Sequence, residues 1–224
     1  MKKQELTALI EKYGKRYSEL LGIHVELGND KEIFKWFLAA VLFGAPISET
    51  SAIKTYRCFE NHRVLTAKKI LRIGWQGLVN ILDEGGYTRY DYKTADKLLA
   101  IMGSLKAKYA GSLSLLHEKA VDSGDLEKRL KELAKGIGDI TVSIFLRELR
   151  GIWNKANPHP TPLVILAAKK LCIIQSEDPE EAAKELAKFW NKNKSEDMSY
   201  VHFETMLLRL GKDMRRRQKG TTAL

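Results

Sequence analysis

Two glycines separated by a single residue mark the most informative stretch of this chain, the turn Lys135-Gly136-Ile137-Gly138-Asp139. Glycine adopts left-handed backbone angles and lets a ligand approach the main chain, because it carries no Cβ. A helix is predicted to begin directly after the turn, with its unpaired amides and the positive end of its dipole facing outward. These features predict a site for a phosphate-sized anion that does not read base sequence. The structural alternative is an ordinary helix-to-helix turn with a glycine C-cap.

Amphipathic helices are predicted on both sides of this turn. Before it, apolar residues recur at helical spacing at Leu126, Leu130 and Leu133. After it, Ile140 and Val142 continue the apolar face, and the second helix is expected to run to about Trp153. The inner face of that helix is expected to consist of Ile144, Phe145, Leu149 and Ile152.

Helical patterns also cover the rest of the chain, and no segment shows a convincing strand alternation. An apolar stripe predicts one helix over residues 4–22, and an almost wholly apolar helix is expected to end near Phe43. The proline-rich segment 154–162 cannot be crossed by a helix. Further helices are predicted beyond it, the last of them over 198–210. The sequence therefore predicts an all-α fold.

Three segments together resemble a known family. Leu133 to Val142 resembles the hairpin of the helix-hairpin-helix DNA glycosylase superfamily (endonuclease III-like), whose pattern is Leu-Pro-Gly-Val-Gly-x-x-Thr-Ala. Phe34 to Gly44 resembles the apolar helix that opens the family's helical barrel, and residues 85–98 resemble the segment before its hairpin. The resemblance covers roughly residues 30–170. It implies two helical subdomains with a DNA-binding cleft between them: a barrel over 29–150 that ends in the hairpin, and a second subdomain formed by 1–28 plus 151–224.

This chain departs from the family at its catalytic positions. The resemblance places the hairpin lysine of bifunctional members at Ile140, and the catalytic aspartate within 158–161, where no acid occurs. Cys58 and Cys172 are the only cysteines, so the iron–sulfur cluster of many relatives is not expected, nor is a metal site or another cofactor. A monovalent cation at the hairpin remains compatible with the resemblance.

Catalytic groups would therefore have to occupy other positions. The candidates are Asp139, Asp91, His159 and Lys135. A carboxylate can stabilise a sugar cation, and a desolvated lysine can form a Schiff base. Each candidate has a structural alternative: Asp139 as a helix N-cap, Asp91 as a cap or a partner of Arg89, His159 as a solvated loop residue, and Lys135 as a phosphate contact.

DNA contacts are expected from two segments. The hairpin would contribute Lys135, Gly136, Ile137, Gly138, Asp139 and Thr141, and the tyrosine-rich segment would contribute Tyr87, Arg89 and Tyr90. Tyr87 and Tyr90 are candidate wedges, since aromatic rings stack on exposed bases, with core packing as their alternative. The loop Ala45 to Ser48 lies where the family places a further DNA-facing loop.

Charge and composition agree with a polyanionic partner. The 38 Lys+Arg residues exceed the 28 Asp+Glu residues, for a formal charge of +10. No signal peptide or membrane span is apparent, so an intracellular protein without a membrane partner is expected. The expected partner is double-stranded DNA, damaged or abasic, and no obligate protein partner is evident.

Three hypotheses about function follow. The first is a DNA-repair enzyme that excises bases or cleaves strands at abasic sites with non-standard catalytic residues. The second is a non-catalytic protein that binds lesions or distorted DNA. The third is a helical protein-interaction module that binds no nucleic acid.

Overall fold

The computed structural model describes residues 3–194 and 197–221, and over these residues the protein is built from helices alone. The prediction of an all-α fold is confirmed. None of the described helices is both long enough and apolar enough to cross a membrane. The chain divides into two compact units. We call residues 21–158 the central unit, and residues 1–20 with 159–224, as far as they are described, the terminal unit.

The central unit consists of a short 3-10 helix and seven α-helices. The 3-10 helix is Val25–Leu27, and the α-helices are α3 (Asp30–Phe43), α4 (Glu49–Asn61), α5 (Ala67–Glu84), α6 (Asp91–Tyr109), α7 (Leu113–Lys119), α8 (Ser123–Lys131) and α9 (Asp139–Arg147). Helix α3 forms the middle of this unit, because ten of its fourteen residues are buried and it packs against α4, α7 and α9. Its amphipathic neighbours α5 and α6 pack against each other.

The close contact between α3 and α9 depends on a glycine at the end of α3. A Cβ on Gly44 would lie only 2.1 Å from Thr141 Oγ1 and 3.1 Å from Thr141 Cβ. Any larger residue at position 44 would push the start of α9 away from α3. The end of α3 is thereby held directly beside the turn that precedes α9.

Helix α9 is shorter than the sequence predicts, ending at Arg147 instead of about Trp153. In a longer helix the carbonyl of Phe145 would accept the amide of Leu149. Here it accepts a hydrogen bond from Trp36 Nε1 at 3.0 Å, while the Leu149 amide donates to Leu146 in a tighter turn. The buried indole of Trp36, 109 positions away in sequence, therefore donates to the carbonyl that the Leu149 amide would use in a longer helix.

Helix α5 is kinked in its middle. Gly74 has φ +70° and ψ −175°, a left-handed, extended conformation that divides α5 into two helical segments. The sequence predicts this break, with one helix ending at Ile73 and a second beginning at Gly74. The second segment therefore begins with Trp75.

The terminal unit contains the first and last helices of the chain. They are α1 (Lys3–Tyr13), α2 (Tyr17–Leu20), α10 (Pro162–Lys170), α11 (Pro179–Asn193) and α12 (Tyr200–Thr221). Helix α12 packs against α1, α10 and α11. The single helix predicted over 4–22 is wrong, because the chain breaks between Tyr13 and Tyr17, where the Glu19 carboxylate accepts the amide of Arg16 at 2.9 Å.

The central unit extends beyond the predicted barrel of 29–150 at both ends. Arg57 Nη1 donates to the carbonyl of Leu21 at 3.0 Å, which ties the first residue of the unit to α4. At the other end the guanidinium of Arg150 donates to the carbonyl of Pro158. Two arginines thus hold the boundary residues through their main-chain oxygens.

Candidate functional site

The turn between α8 and α9 places its two glycines in different conformations. Gly136 has φ +91°, which an L-residue rarely adopts, whereas Gly138 has φ −107° and ψ −176°, which any residue can adopt. Gly138 is the N-cap of α9 and offers no side chain to the first amides of the helix. A Cβ on Gly138 would meet no atom of the protein within 4 Å. Nothing in the described fold therefore requires a glycine at position 138.

Asp139 is the first residue of α9 and is not its N-cap, so the predicted capping role is wrong. Its side chain is 89% exposed, and its Oδ1 lies 2.5 Å from Lys131 Nζ. The hydrogen bond and charge of Lys131 hold the pKa of Asp139 below its usual value. The carboxylate is thus ionised, solvated and paired, which is unfavourable for a general acid.

The buried face of α9 agrees with the predicted face at Val142 and Phe145 but not at Ile140. Ile140 is 68% exposed, whereas Thr141, Val142 and Phe145 are buried. Because the helix begins at Asp139, its second residue faces outward and its third packs against Gly44. Thr141 is accordingly a packing residue and is not available as a DNA contact. Ile137 is also buried and anchors the turn through its side chain.

Tyr87 lies in the core and is not a wedge. Its side chain is 1% exposed, and its hydroxyl donates a hydrogen bond to the carbonyl of Leu42 in α3. Burial raises the pKa of the Tyr87 hydroxyl above its usual value. Tyr90, the other candidate wedge, is partly exposed, and the guanidinium of Arg89 lies 5.9 Å from the centre of its ring.

A cavity of about 700 Å³ opens beside the glycine turn, entirely within the central unit. We call it the lysine cavity. It is lined by the loop Gly44-Ala45-Pro46, by Tyr90 and the following face of α6, and by Lys135 and Gly136 of the turn. The fold thus brings together the three segments that the sequence singles out: the glycine turn, the tyrosine-rich segment and the loop after the first apolar helix.

The charge of the lysine cavity is predominantly positive. Lys93, Lys97 and Lys135 line it, and Asp96 is its only acidic residue. The Asp96 carboxylate accepts a hydrogen bond from Trp75 Nε1 at 2.9 Å. None of the three ammonium groups has a salt bridge or hydrogen bond to any residue that the structure describes. An anion entering the cavity would therefore meet three unpaired ammonium groups.

Lys97 lies deepest against the turn. A Cβ on Gly136 would be 3.1 Å from Lys97 Cε and 3.6 Å from its Nζ, so the missing side chain of the glycine leaves room for the lysine. Burial lowers the pKa of Lys97 below its usual value. A larger fraction of this amine is consequently neutral, and nucleophilic, at a given pH than for a solvated lysine.

The remaining catalytic candidates lie outside the lysine cavity. Oδ1 of Asp91 accepts the amide of Tyr92 at 2.7 Å, and the N-cap of α6 is Tyr90, so neither alternative proposed for Asp91 is observed. His159 is exposed and belongs to the terminal unit. Of the four candidates, Lys135 alone lines the cavity.

Sequence reasoning missed Lys97 and Asp96. The signal that could have identified the lysine was its spacing of four from Lys93, which puts both residues on one face of a helix. The depth of Lys97 against Gly136 had no sequence signal, because 38 positions and two further helices separate the two residues.

No metal-binding cluster accompanies this site. Among the described residues, no group of three or more His, Cys, Asp or Glu side chains is placed to hold a metal ion. Comparison of the chain with protein-family models, with curated proteins and with solved structures found no match.

Proposed function

We propose that the protein binds DNA at a damaged or abasic nucleotide through the lysine cavity, and that it acts there as a base-excising or strand-cleaving enzyme. The proposal combines the resemblance of the hairpin to DNA glycosylases with the chemistry of the cavity. The observation that carries it is the position of Lys97, an unpaired and partly desolvated amine packed against the glycine turn.

Phosphate recognition is the first part of the proposal. The amides at the start of α9 and the ammonium groups of Lys93 and Lys135 offer hydrogen-bond donors and positive charge on adjacent segments. Such donors contact the sugar-phosphate backbone and position the strand without reading its bases. The open space around Gly138 allows the backbone of a ligand to approach the main chain closely.

Catalysis is the second part, with Lys97 in the role that Ile140 cannot fill. The neutral Nζ of Lys97 adds to the C1′ aldehyde of a ring-opened abasic sugar, and water leaves to form an imine. Loss of a C2′ proton to solvent then breaks the C3′–O bond, with the phosphate on the 3′ side as leaving group. Water finally hydrolyses the imine and returns the free lysine.

A non-catalytic lesion-binding protein is the second candidate function. It is favoured by the lack of a second acidic residue in the cavity, since Asp96 is the only one and accepts a hydrogen bond from Trp75. This alternative keeps the phosphate contacts and assigns Lys97 to charge alone. A helical interaction module, the third hypothesis, predicts no DNA binding.

Covalent trapping tests the catalytic part. A labelled duplex with one abasic site is incubated with the protein and borohydride, which reduces an imine to a stable amine. Wild-type protein should form a cross-linked adduct, and Lys97→Arg should form none while still binding the duplex, because a guanidinium keeps the charge but is not a nucleophile at neutral pH. An undiminished adduct in Lys97→Arg excludes Lys97 as the nucleophile.

Binding is tested separately by a salt titration of duplex affinity. Affinity should fall steeply with salt, and Lys93→Ala or Lys135→Ala should reduce the slope of log affinity against log salt by about 1 for each lost phosphate contact. Lys108→Ala, on the same helix but outside the cavity, is the matched control. Absence of duplex binding at low salt would overturn the proposed function as a whole.

A further inference from the structure

The kink of α5 places an aromatic side chain on the surface next to the lysine cavity. Gly74 interrupts the helix, and Trp75 begins its second segment with 38% of its surface exposed. The other three tryptophans, Trp36, Trp153 and Trp190, are all at most 7% exposed. Trp75 is therefore the one indole in the chain that a ligand in solution can reach.

Trp75 is held in a defined orientation by α6. Its Nε1 donates to the Asp96 carboxylate at 2.9 Å, and its ring lies 5.1 Å from the ring of Tyr92, centre to centre, at an angle of 45°. Tyr92 is 59% exposed, and the next residue in the chain is Lys93 of the lysine cavity. Asp96 and Lys93 both line that cavity, so Trp75 is hydrogen-bonded to one of its lining residues and Tyr92 directly precedes another.

We propose that Trp75 and Tyr92 form a stacking platform for an unpaired nucleobase of a DNA strand whose phosphates lie at the lysine cavity. The inference rests on the proposed function, because it takes the cavity as the place where the sugar-phosphate backbone binds. It adds a second site of different chemistry, which holds a base and not a phosphate.

The surroundings of the platform favour a nucleobase over an apolar peptide. Lys93 and Lys97 supply positive charge on the same helix as Tyr92. Lys93 directly follows Tyr92, and Lys97 lies one helical turn further along. Single-strand binding sites combine such cationic grooves with exposed aromatic faces, because every base has a π-face and every nucleotide a phosphate. The bond to Asp96 fixes the indole before a ligand arrives, which reduces the ordering cost of stacking.

Intrinsic fluorescence of the full-length protein tests the platform. The probe is an oligothymidylate, and the matched probe is a deoxyribose-phosphate oligomer of the same length without bases. Oligothymidylate should quench part of the tryptophan emission, and Trp75→Phe should abolish the quench, because the remaining indoles are buried. The oligomer without bases should bind without quenching.

Affinity measurements with a labelled oligothymidylate complete the test. Tyr92→Ala should weaken binding by about 5- to 100-fold, the effect expected for loss of one base–aromatic stack. Val121→Ala removes another exposed apolar side chain of the central unit and should leave affinity unchanged. Circular dichroism of each variant establishes that it is folded.

Two results would overturn the platform: equal quenching by the oligomer without bases, or unchanged affinity of a folded Tyr92→Ala variant. If either occurs while duplex binding still depends on Lys93 and Lys135, the platform fails and the proposed function stands. If neither duplex nor oligothymidylate binds at low salt, both fail together.

Discussion

The missing side chain of Gly136 leaves room for Lys97: a Cβ on the glycine would lie 3.1 Å from Cε of the lysine and 3.6 Å from its Nζ. Gly136 therefore has two roles: it allows the chain to turn, and it leaves space for a lysine side chain. Its bare Cα forms one wall of the lysine cavity and lets an amine from α6 pack against the main chain. Burial of that amine is the physical cause of its lowered pKa.

The two glycines of the turn should respond differently to substitution. Gly136→Ala forces a side chain into a left-handed conformation and against Lys97, so it should cost about 1–2 kcal/mol of folding free energy. Gly138→Ala meets no atom of the protein and should fold with nearly unchanged stability. If a phosphate approaches the amide here, Gly138→Ala should nevertheless weaken duplex binding regardless of base sequence. Urea denaturation and fluorescence anisotropy measure the two effects, and unchanged affinity in Gly138→Ala would argue against backbone contact at this residue.

Lys97 should lower the free energy of unfolding of the wild-type protein. Its pKa is lower in the folded state than in the unfolded chain, so the folded state binds the proton more weakly. The penalty is fully present below the folded pKa and disappears as pH rises toward the unfolded value of about 10.4. Lys97→Met should therefore be more stable than wild type at pH 7, with a smaller difference at pH 10, while losing covalent trapping. Urea denaturation at both pH values tests this, with the exposed Lys108→Met as control.

Substitutions of Tyr87 and Tyr90 should have different effects, the first on folding stability and the second on duplex affinity. Tyr87→Phe removes one of the donors to the Leu42 carbonyl, which keeps the amide of Ala45, and should cost about 0.5–1.5 kcal/mol of folding free energy. It should leave duplex affinity unchanged, because the side chain is out of reach of a ligand. Tyr90 lines the lysine cavity, so Tyr90→Ala should instead lower the affinity for the duplex. Reduced affinity of a folded Tyr87→Phe variant would contradict its assignment to the core.

Glu32 should make the central unit sensitive to acid. Its carboxylate accepts hydrogen bonds from Lys35 Nζ at 2.5 Å and from the His24 amide at 3.0 Å. Burial raises its pKa, but these bonds outweigh burial, and the net pKa lies below the usual value. The stabilisation is thus present above the unfolded pKa of about 4.3 and is lost as pH falls through the folded pKa.

Glu32→Gln is the matching variant. It should lower the free energy of unfolding by about 1–2 kcal/mol at pH 7, because the hydrogen bonds lose their ionic character. As pH falls through the folded pKa of Glu32, the two proteins should approach equal stability. Urea denaturation across this range measures the difference, and a gap that stays constant with pH would rule out the ionised carboxylate as its source.

Local sequence determines much of this molecule. Helical periodicity, caps and the breaks at proline and glycine predict an all-α chain, the glycine turn at 135–139 and the kink at Gly74. These features depend on neighbours within a few residues, since hydrogen bonds in a helix or turn join positions three or four apart. Charge composition likewise needs no structure, because it is a sum over residues.

Tertiary contacts decided the points at which local patterns failed. Where helix α9 ends, Trp36 from a distant helix donates to the carbonyl of Phe145, and the Leu149 amide bonds to Leu146 instead. Tyr87 is buried, and its hydroxyl donates to the carbonyl of Leu42 in α3. Thr141 is buried because Gly44, which has no side chain, leaves room for it. Each outcome depends on which surfaces meet in three dimensions, and spacing along the chain does not encode that.

The candidate site divides in the same way. The sequence alone determined that a bare, anion-compatible turn would precede a helix, because glycine conformation and helix dipoles are local properties. Only the tertiary structure decided which side chains share its cavity: Lys93 and Lys97 enter it, whereas Asp91 and Asp139 do not. Desolvation of an amine depends on what packs around it, and a glycine far along the chain is one of the residues beside Lys97.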